Sequence, residues 1–256
     1  MNQFINYHVY NNWSGAEEPK MKEIDYPFSQ IAGGKILDVA TGEGGFIELL
    51  TDRLPAFDEI IGIDIVESKF NKTREKYEGK NISFAQMDGA KLTFDDDSFD
   101  TVAICNSLHH LGNINETLNE MMRILRPGGT FIVAEMIRDN QSQLQLNHVD
   151  LHHWWAKINR LEGITHNQTM TKNEIISYVE ILSLSSLDFY DYVDPDTDPQ
   201  DKDTIQYINN VIDEYLEKLN GQSDHKTLID EGNTLRNRIN KIGIAWATQL
   251  VIIGRK

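Results

Sequence analysis

Between residues 31 and 138, short β-branched apolar runs alternate with longer amphipathic segments, and this alternation restricts the possible folds more than any other feature of the chain. Repeated strand–helix units of this kind fold as a parallel sheet with helices against its faces. The runs "KILDVA", "EIIGIDI", "ISFAQM", "FDTVAIC" and "TFIVAEM" are short and apolar enough to be covered on both sides, as parallel strands are. Helices are expected over 45–53, 67–77 and 115–125, with a short one after Leu92. "RPGG" then ends the last of these, because proline cannot continue a helix and glycine readily takes positive φ.

After Arg138 the pattern changes to a polar stretch rich in histidine and tryptophan, expected to form a helical cap over 139–183. "SLDFYDYV" alternates like a strand, two amphipathic helical patterns follow, and "IAWATQLVIIGRK" supplies another strand, making seven in all. The chain of 256 residues, 40% of them apolar, is expected to form one domain, with a core of 31–138 and 184–256 and a separate segment 1–30.

Charge narrows the partners. Acids outnumber bases 40 to 24, for a formal charge of -16, and no basic block is present to neutralise a row of phosphates, so nucleic acid is not expected. The same excess would repel an anionic membrane surface, and no apolar run approaches the ~20 residues of a membrane span. The opening "MNQFINYHVYNNW" lacks the features of an export signal, and the single cysteine, Cys105, can form no internal disulfide. A soluble cytoplasmic protein acting on a small molecule is the expectation.

"ILDVATGEGGF" is a strand that ends in an acid and breaks into a glycine loop, the arrangement that turns backbone N–H groups and a helix N-terminus toward a ligand. The loop contains Asp38, Ala40, Gly42, Glu43 and Gly44 but no lysine or arginine, so a pyrophosphate would meet uncompensated negative charge. S-adenosylmethionine fits better: Asp38 attracts its cationic end while loop N–H groups take its carboxylate. A purely structural turn is the alternative. Asp64, at the tip of the second strand, can accept both ribose hydroxyls or cap the following helix. Asp88 and Gly89, in "QMDGA", can meet an adenine edge or form a turn.

Together "ILDVATGEGGF", "IIGIDIVESKF", "FAQMDGAKLTFDDDSFDTVAICNSLHHLGN" and "EMMRILRPGGTFIVAEM" resemble the class I S-adenosylmethionine-dependent methyltransferases, especially the branch with the ubiquinone and menaquinone C-methyltransferases. The resemblance spans 33–136. It implies that Asp38, Gly42 and Gly44 surround the methionine portion, that Asp64 binds ribose with Ile65 against adenine, and that Asp88 and Gly89 hold the adenine edge. By the same resemblance, Asn106, with Ser107 and Leu108, lies beside the methionine and the acceptor. Ala40 stands where the family usually has glycine, which is tolerable if its φ stays negative. The implied fold is α/β: a Rossmann-like seven-stranded, mostly parallel sheet with an antiparallel last strand beside the fifth, and helices on both faces.

Direct displacement at a sulfonium relies on alignment in a water-poor pocket. A general base, where an acceptor needs one, would be His109 or His110 in "NSLHHLGN"; packing is the alternative. A helix over 146–161 would put His148 and His152 on one face with Trp155 adjoining, in a stretch that also holds His153, Trp154 and His166. That face is read as a substrate pocket, with a packing surface as the alternative. H-x-x-x-H can hold a cation, but no third ligand stands at standard spacing, so no metal is expected. Phe4, Tyr7, Tyr10 and Trp13 form either a lid over the cofactor or outer packing. The functional expectation is an S-adenosylmethionine-dependent methyltransferase with a small apolar acceptor; a cofactor-binding sensor and an NAD-dependent oxidoreductase are the rivals.

Overall fold

The computed structural model describes residues 25–195, 197–219 and 225–256. The proposed aromatic lid residues Phe4, Tyr7, Tyr10 and Trp13 lie outside the described residues. Seven strands form one sheet: β1 (Lys35–Val39), β2 (Glu59–Asp64), β3 (Ile82–Gln86), β4 (Phe99–Cys105), β5 (Leu125–Met136), β6 (Ser186–Tyr192) and β7 (Gln249–Arg255). Their spatial order is β3-β2-β1-β4-β5-β7-β6. β1 to β5 pair in parallel, and β7 runs antiparallel between β5 and β6.

The period-2 alternation of strand side chains fills both faces of this sheet. Ile36, Ile60, Ile132, Val251 and Ile253 point to one side, against Phe46, Ile47 and Leu50 of α2 (Gly45–Arg53) and Phe28 of α1 (Asp25–Ser29). Their neighbours Leu37, Val133, Leu250 and Ile252 point to the other, against Leu118, Met121 and Ile124 of α4 (Ile114–Ile124). The segment 67–77 is helical as expected, as a 3-10 turn Glu67–Phe70 running into α3 (Asn71–Lys76).

Three expectations need correction. No helix follows Leu92; the residues to Ser98 are turns, pinned by Arg123, whose guanidinium donates to the carbonyls of Leu92 and Phe94. "RPGG" does not separate helix from strand but lies inside β5, where Phe99 pairs with Leu125 and Thr101 with Thr130, so the surplus residues bulge out of register. The helices beyond Arg138 are also grouped differently. α5 (Gln143–Leu161) packs with α7 (Lys202–Leu219) and α8 (Lys226–Ile242) around Leu151, Trp154, Ile158, Ile212 and Ile239, as a helical layer with its own core. α6 (Lys172–Glu180) instead sends Ile175 and Val179 into the sheet core. Among the described residues no helix is long and apolar enough to cross a membrane.

Candidate functional site

In a doubly wound sheet, β-α connections leave in opposite directions from two adjacent strands, and a crevice opens outside their carboxyl ends. Here those strands are β1 and β4, and the loops that follow them carry the glycine motif and "NSLHHLGN". A hydrogen bond of 3.3 Å from Ser107 Oγ to the Ala40 carbonyl ties the two loops together.

The β1 loop is folded tightly on itself. Ala40, Gly42 and Gly44 all have positive φ, at 56°, 54° and 80°. The negative φ that would make Ala40 innocuous is therefore absent, and its methyl group sits in a left-handed conformation that costs about 1–2 kcal/mol in an L-residue. Gly44 is also needed for close approach, since a Cβ there would lie 2.5 Å from Thr73 Cγ2. The N–H of Thr41 donates to the Ile63 carbonyl, that of Gly44 to the Thr41 carbonyl, and that of Gly42 to Asp64 Oδ2 at 3.0 Å. These three loop N–H groups are thus engaged within the protein rather than held ready for a ligand carboxylate.

Asp38 is buried, and its Oδ2 accepts a 2.6 Å hydrogen bond from Thr41 Oγ1. Its Oδ1 is sealed from water and finds no hydrogen-bond partner among the described residues. Burial raises the Asp38 pKa from 3.8 to about 7, opposed by the Thr41 hydroxyl and reinforced by the charge of Asp64. A buried acceptor left unsatisfied costs about 1–3 kcal/mol, so this oxygen is a place where a donor, best a cationic one, gains most. Asp64, also buried, accepts from the N–H groups of Gly42 and Val66, with Lys69 Nζ 3.5 Å from its Oδ2. Lys69 comes from outside the loop and places one positive charge at an otherwise acidic site.

Ile65 follows Asp64 and is exposed among the described residues, an apolar side chain at the tip of β2. Asp88 caps its own turn, Oδ1 accepting from the Ala90 N–H at 3.0 Å. Gly89 is explained by packing, because a Cβ there would lie 2.9 Å from Val39 Cγ1 and 3.1 Å from Thr117 Cγ2. Asn106 ends β4 at φ 46°, and its Oδ1 accepts from the Met136 N–H.

Beyond Asn106 a 3-10 turn, Leu108–His110, brings both histidines to the same edge. His109 Nδ1–H donates to Glu135 Oε1 at 3.0 Å; Glu135 is fully buried at the end of β5 and also accepts from the Leu108 and Met136 N–H groups. With Nδ1 committed, His109 Nε2 faces His152 Nε2 at 3.0 Å, and His166 Nε2 lies 2.9 Å from that same atom of His152. His110 stacks obliquely on His166, ring centroids 4.2 Å apart. Burial holds His110 and His152 well below the usual imidazole pKa and His166 at about 3, and the neighbouring rings add to each shift.

His109, His110 and His152 are thus gathered at one edge, and of the expected face His148–His152–Trp155 only Trp155 stays with His152, at 6.0 Å between ring centroids. Trp155 Nε1 is buried without a partner among the described residues. His148 does not join them. Its Nδ1 accepts from the Ala247 N–H at 3.0 Å and its ring packs edge-on against Trp246, so it anchors α5 to the approach of β7. Burial lowers its pKa to about 4. His153 is likewise turned away, bonded to Thr169.

Glu135 and the placement of His166 are what sequence reasoning missed. An acid within the apolar strand "TFIVAEM" was a legible signal for the first. His166 had none, being brought in by the Asn167 N–H, which donates to the His109 carbonyl at 2.8 Å, and by Asn159, 2.8 Å from His166 Nδ1.

Residues 37–133 match the family model described as "Methyltransferase domain". The demethylmenaquinone methyltransferase of Bacteroides fragilis is 35% identical over 106 residues, 40% of this chain and 43% of that protein. The ubiquinone/menaquinone biosynthesis C-methyltransferase of Pseudomonas paraeruginosa is 32% identical over 117 residues, 44% of this chain and 46% of that protein. The chain thus matches less than half the length of these relatives. Among solved structures, the YcgJ protein of Bacillus subtilis shares the fold at a TM-score of 0.58 and 17% identity, over 91% of this chain and 96% of that one. Sheet order, glycine loop and family match converge on one stretch: residues 37–133 are similar to a methyltransferase domain, and the whole described chain shares its fold with solved structures of that kind.

Proposed function

We propose that this chain transfers a methyl group from S-adenosyl-L-methionine to a small acceptor with an apolar, aromatic body. The observation that carries this reading is the buried Oδ1 of Asp38 at the carboxyl end of β1, without a hydrogen-bond partner among the described residues and next to the charge of Asp64. A ligand with an ammonium group relieves that oxygen and draws the Asp38 carboxyl into its ionised form. Asp64 keeps lone pairs for ribose hydroxyls after accepting its two backbone N–H groups, and the exposed Ile65 offers adenine an apolar face. Asp88 has a second oxygen for the adenine amino group, while Gly89 lets the chain pass close under β1. Gly42, Gly44 and Ala40 shape the loop around the methionine end, with Asn106 facing it from β4.

On this reading the acceptor lies between the cofactor and the imidazole cluster. Its attacking atom displaces the sulfur of the sulfonium, the methyl carbon moves to the acceptor, and the cofactor leaves as neutral S-adenosylhomocysteine. The acceleration comes from alignment and water exclusion. His109, His110 and His152 supply the polar end of the acceptor pocket and Trp155 its apolar wall. The relatives named for demethylmenaquinone and ubiquinone support an aromatic acceptor.

Incubating the chain with methyl-labelled cofactor and a panel of quinols, phenols and amines tests the proposal. Label should pass to an aromatic acceptor. Tight cofactor binding without transfer to any member would favour the sensor, and NAD binding in place of S-adenosylhomocysteine would favour the oxidoreductase.

A further inference from the structure

Three Nε2 atoms, from His109, His152 and His166, meet within a span that hydrogen bonding cannot satisfy. A neutral imidazole carries one N–H. That of His109 is spent on Glu135, so its Nε2 presents a lone pair to His152. His152 Nε2 stands between the other two at 3.0 and 2.9 Å, and a single proton on it can meet only one of them squarely. His110 adds to the group: its Nδ1 lies 3.5 Å from the Thr165 carbonyl, which can only accept, so in the neutral ring the proton sits on Nδ1 and Nε2 carries the lone pair. Each of the four residues offers a nitrogen within 4.8 Å of the others.

We infer that His109, His152 and His166, with His110 beside them, form a binding site for one divalent transition-metal ion of the zinc type. Tetrahedral zinc with Zn–N bonds of about 2.0–2.1 Å separates its ligand nitrogens by roughly 3.3 Å, so the 3.0 and 2.9 Å spacings at His152 Nε2 widen by a few tenths of an ångström and the other spacings, all within 4.8 Å, adjust around the ion. Imidazole nitrogens suit Zn²⁺, Co²⁺, Ni²⁺ and Cu²⁺, whereas Mg²⁺ and Ca²⁺ prefer oxygen. The surroundings fit as well. Metal-ligating histidines generally donate their other N–H to a carboxylate or a backbone carbonyl, and Glu135 and Thr165 occupy those positions behind His109 and His110. Glu135 also brings a buried negative charge to offset the ion's, and Asn159 stands 2.8 Å behind His166 Nδ1, where its amide, turned oxygen-first, accepts the Nδ1–H and leaves the Nε2 lone pair for the ion.

The site rests on this geometry alone; only its task rests on the methyltransferase reading. With three ligands engaged, a fourth position would hold an acceptor oxygen, nitrogen or sulfur as its anion, its proton passing to solvent water; that atom would then bond the methyl carbon as the carbon–sulfur bond breaks with its electron pair left on sulfur.

The test uses the full chain, stripped with a chelator and titrated with Co²⁺ while visible absorption is followed, then with Zn²⁺ as competitor. One equivalent of Co²⁺ should bind with the intense bands of a tetrahedral complex, and Zn²⁺ should abolish them. His152→Gln and His166→Gln should each weaken binding by at least 100-fold, and His153→Gln should leave it unchanged. Circular dichroism checks that the variants fold; Glu135→Gln, expected to lower affinity by about 10–100-fold, serves if the histidine variants do not. Absence of saturable binding in the native chain, or binding that survives both His152→Gln and His166→Gln, overturns the site. Calorimetry with S-adenosylhomocysteine on the metal-free protein keeps the readings apart: nucleoside binding without metal binding defeats only the metal site, and the reverse defeats only the methyltransferase reading.

Discussion

Asp38, Ala40, Thr41, Gly42 and Gly44 form their part of the site within a single turn of chain, and one partner, Asp64, closes it from the neighbouring strand. The imidazole cluster beside it draws on three separate segments: the turn after β4, the middle of α5, and the loop before α6. The first region depends on local backbone geometry; the second depends on the docking of a helical layer. Damage to the helical layer should therefore scatter the histidines and spare the carboxylate cradle, whereas damage to the loop should do the opposite.

The largest effect should come from Trp154→Ala. The ring is fully buried in the helical layer, its Nε1 donates to the Leu228 carbonyl, and Gly232 of α8 leaves it room, since a Cβ there would stand 2.5 Å from the ring. Loss of about 3–5 kcal/mol in urea denaturation is expected. Nucleoside affinity should persist in whatever remains folded; its loss in step with stability would show that the two regions are one unit.

Asp64→Ala comes next. It removes a carboxylate that holds the N–H groups of Gly42 and Val66 and that, in the proposed function, takes the ribose, so S-adenosylhomocysteine affinity should fall about 100-fold by calorimetry, roughly 2–3 kcal/mol. The spectrum of Co²⁺ bound to the chain should not change. A cobalt signal that disappears with Asp64 would merge the regions.

The pH dependence of Asp38 is a smaller effect. Its pKa rises from 3.8 to about 7 on folding, so the folded chain prefers the neutral carboxyl; the stability this group contributes is full below about pH 4 and is lost as pH rises toward 7. A cationic nucleoside prefers the ionised form, so S-adenosylmethionine should bind about tenfold more weakly at pH 6 than at pH 8. Asp38→Asn should flatten that profile, and a slope left intact would remove Asp38 from the site.

The smallest change is expected for Ala40→Gly. Relief of a left-handed alanine, offset by the added freedom of glycine in the unfolded chain, should raise stability by no more than about 1 kcal/mol in thermal denaturation. A loss instead would mean that the methyl group packs usefully.

Most of the sheet was legible because its information is local. Alternating apolar runs identified every strand, and β4 was bounded to the residue at Phe99–Cys105. The glycine loop and Asp64 could be read for the same reason, as features of strand ends. The bulge in β5 was not, since it depends on how Leu125 and Thr130 both find partners on β4. Helical spacing placed His148 with His152, but a helix face is wide enough for one residue to meet the segment before β7 and the other the loop after β4. The Ala40 conformation was also hidden: a single alanine carries no sign of its φ until the loop closes around it.

By itself, then, the sequence determined the order of the seven strands and the acidic character of the loops at their ends, because periodicity and charge act over a few residues. Tertiary structure decided which histidines meet, that Glu135 stands behind His109, and that α5 shares a core with α7 and α8 distinct from the two cores on the sheet's faces. Those outcomes rest on contacts between residues far apart in the chain, and such contacts are selected by the packing of whole surfaces rather than by any spacing along the chain.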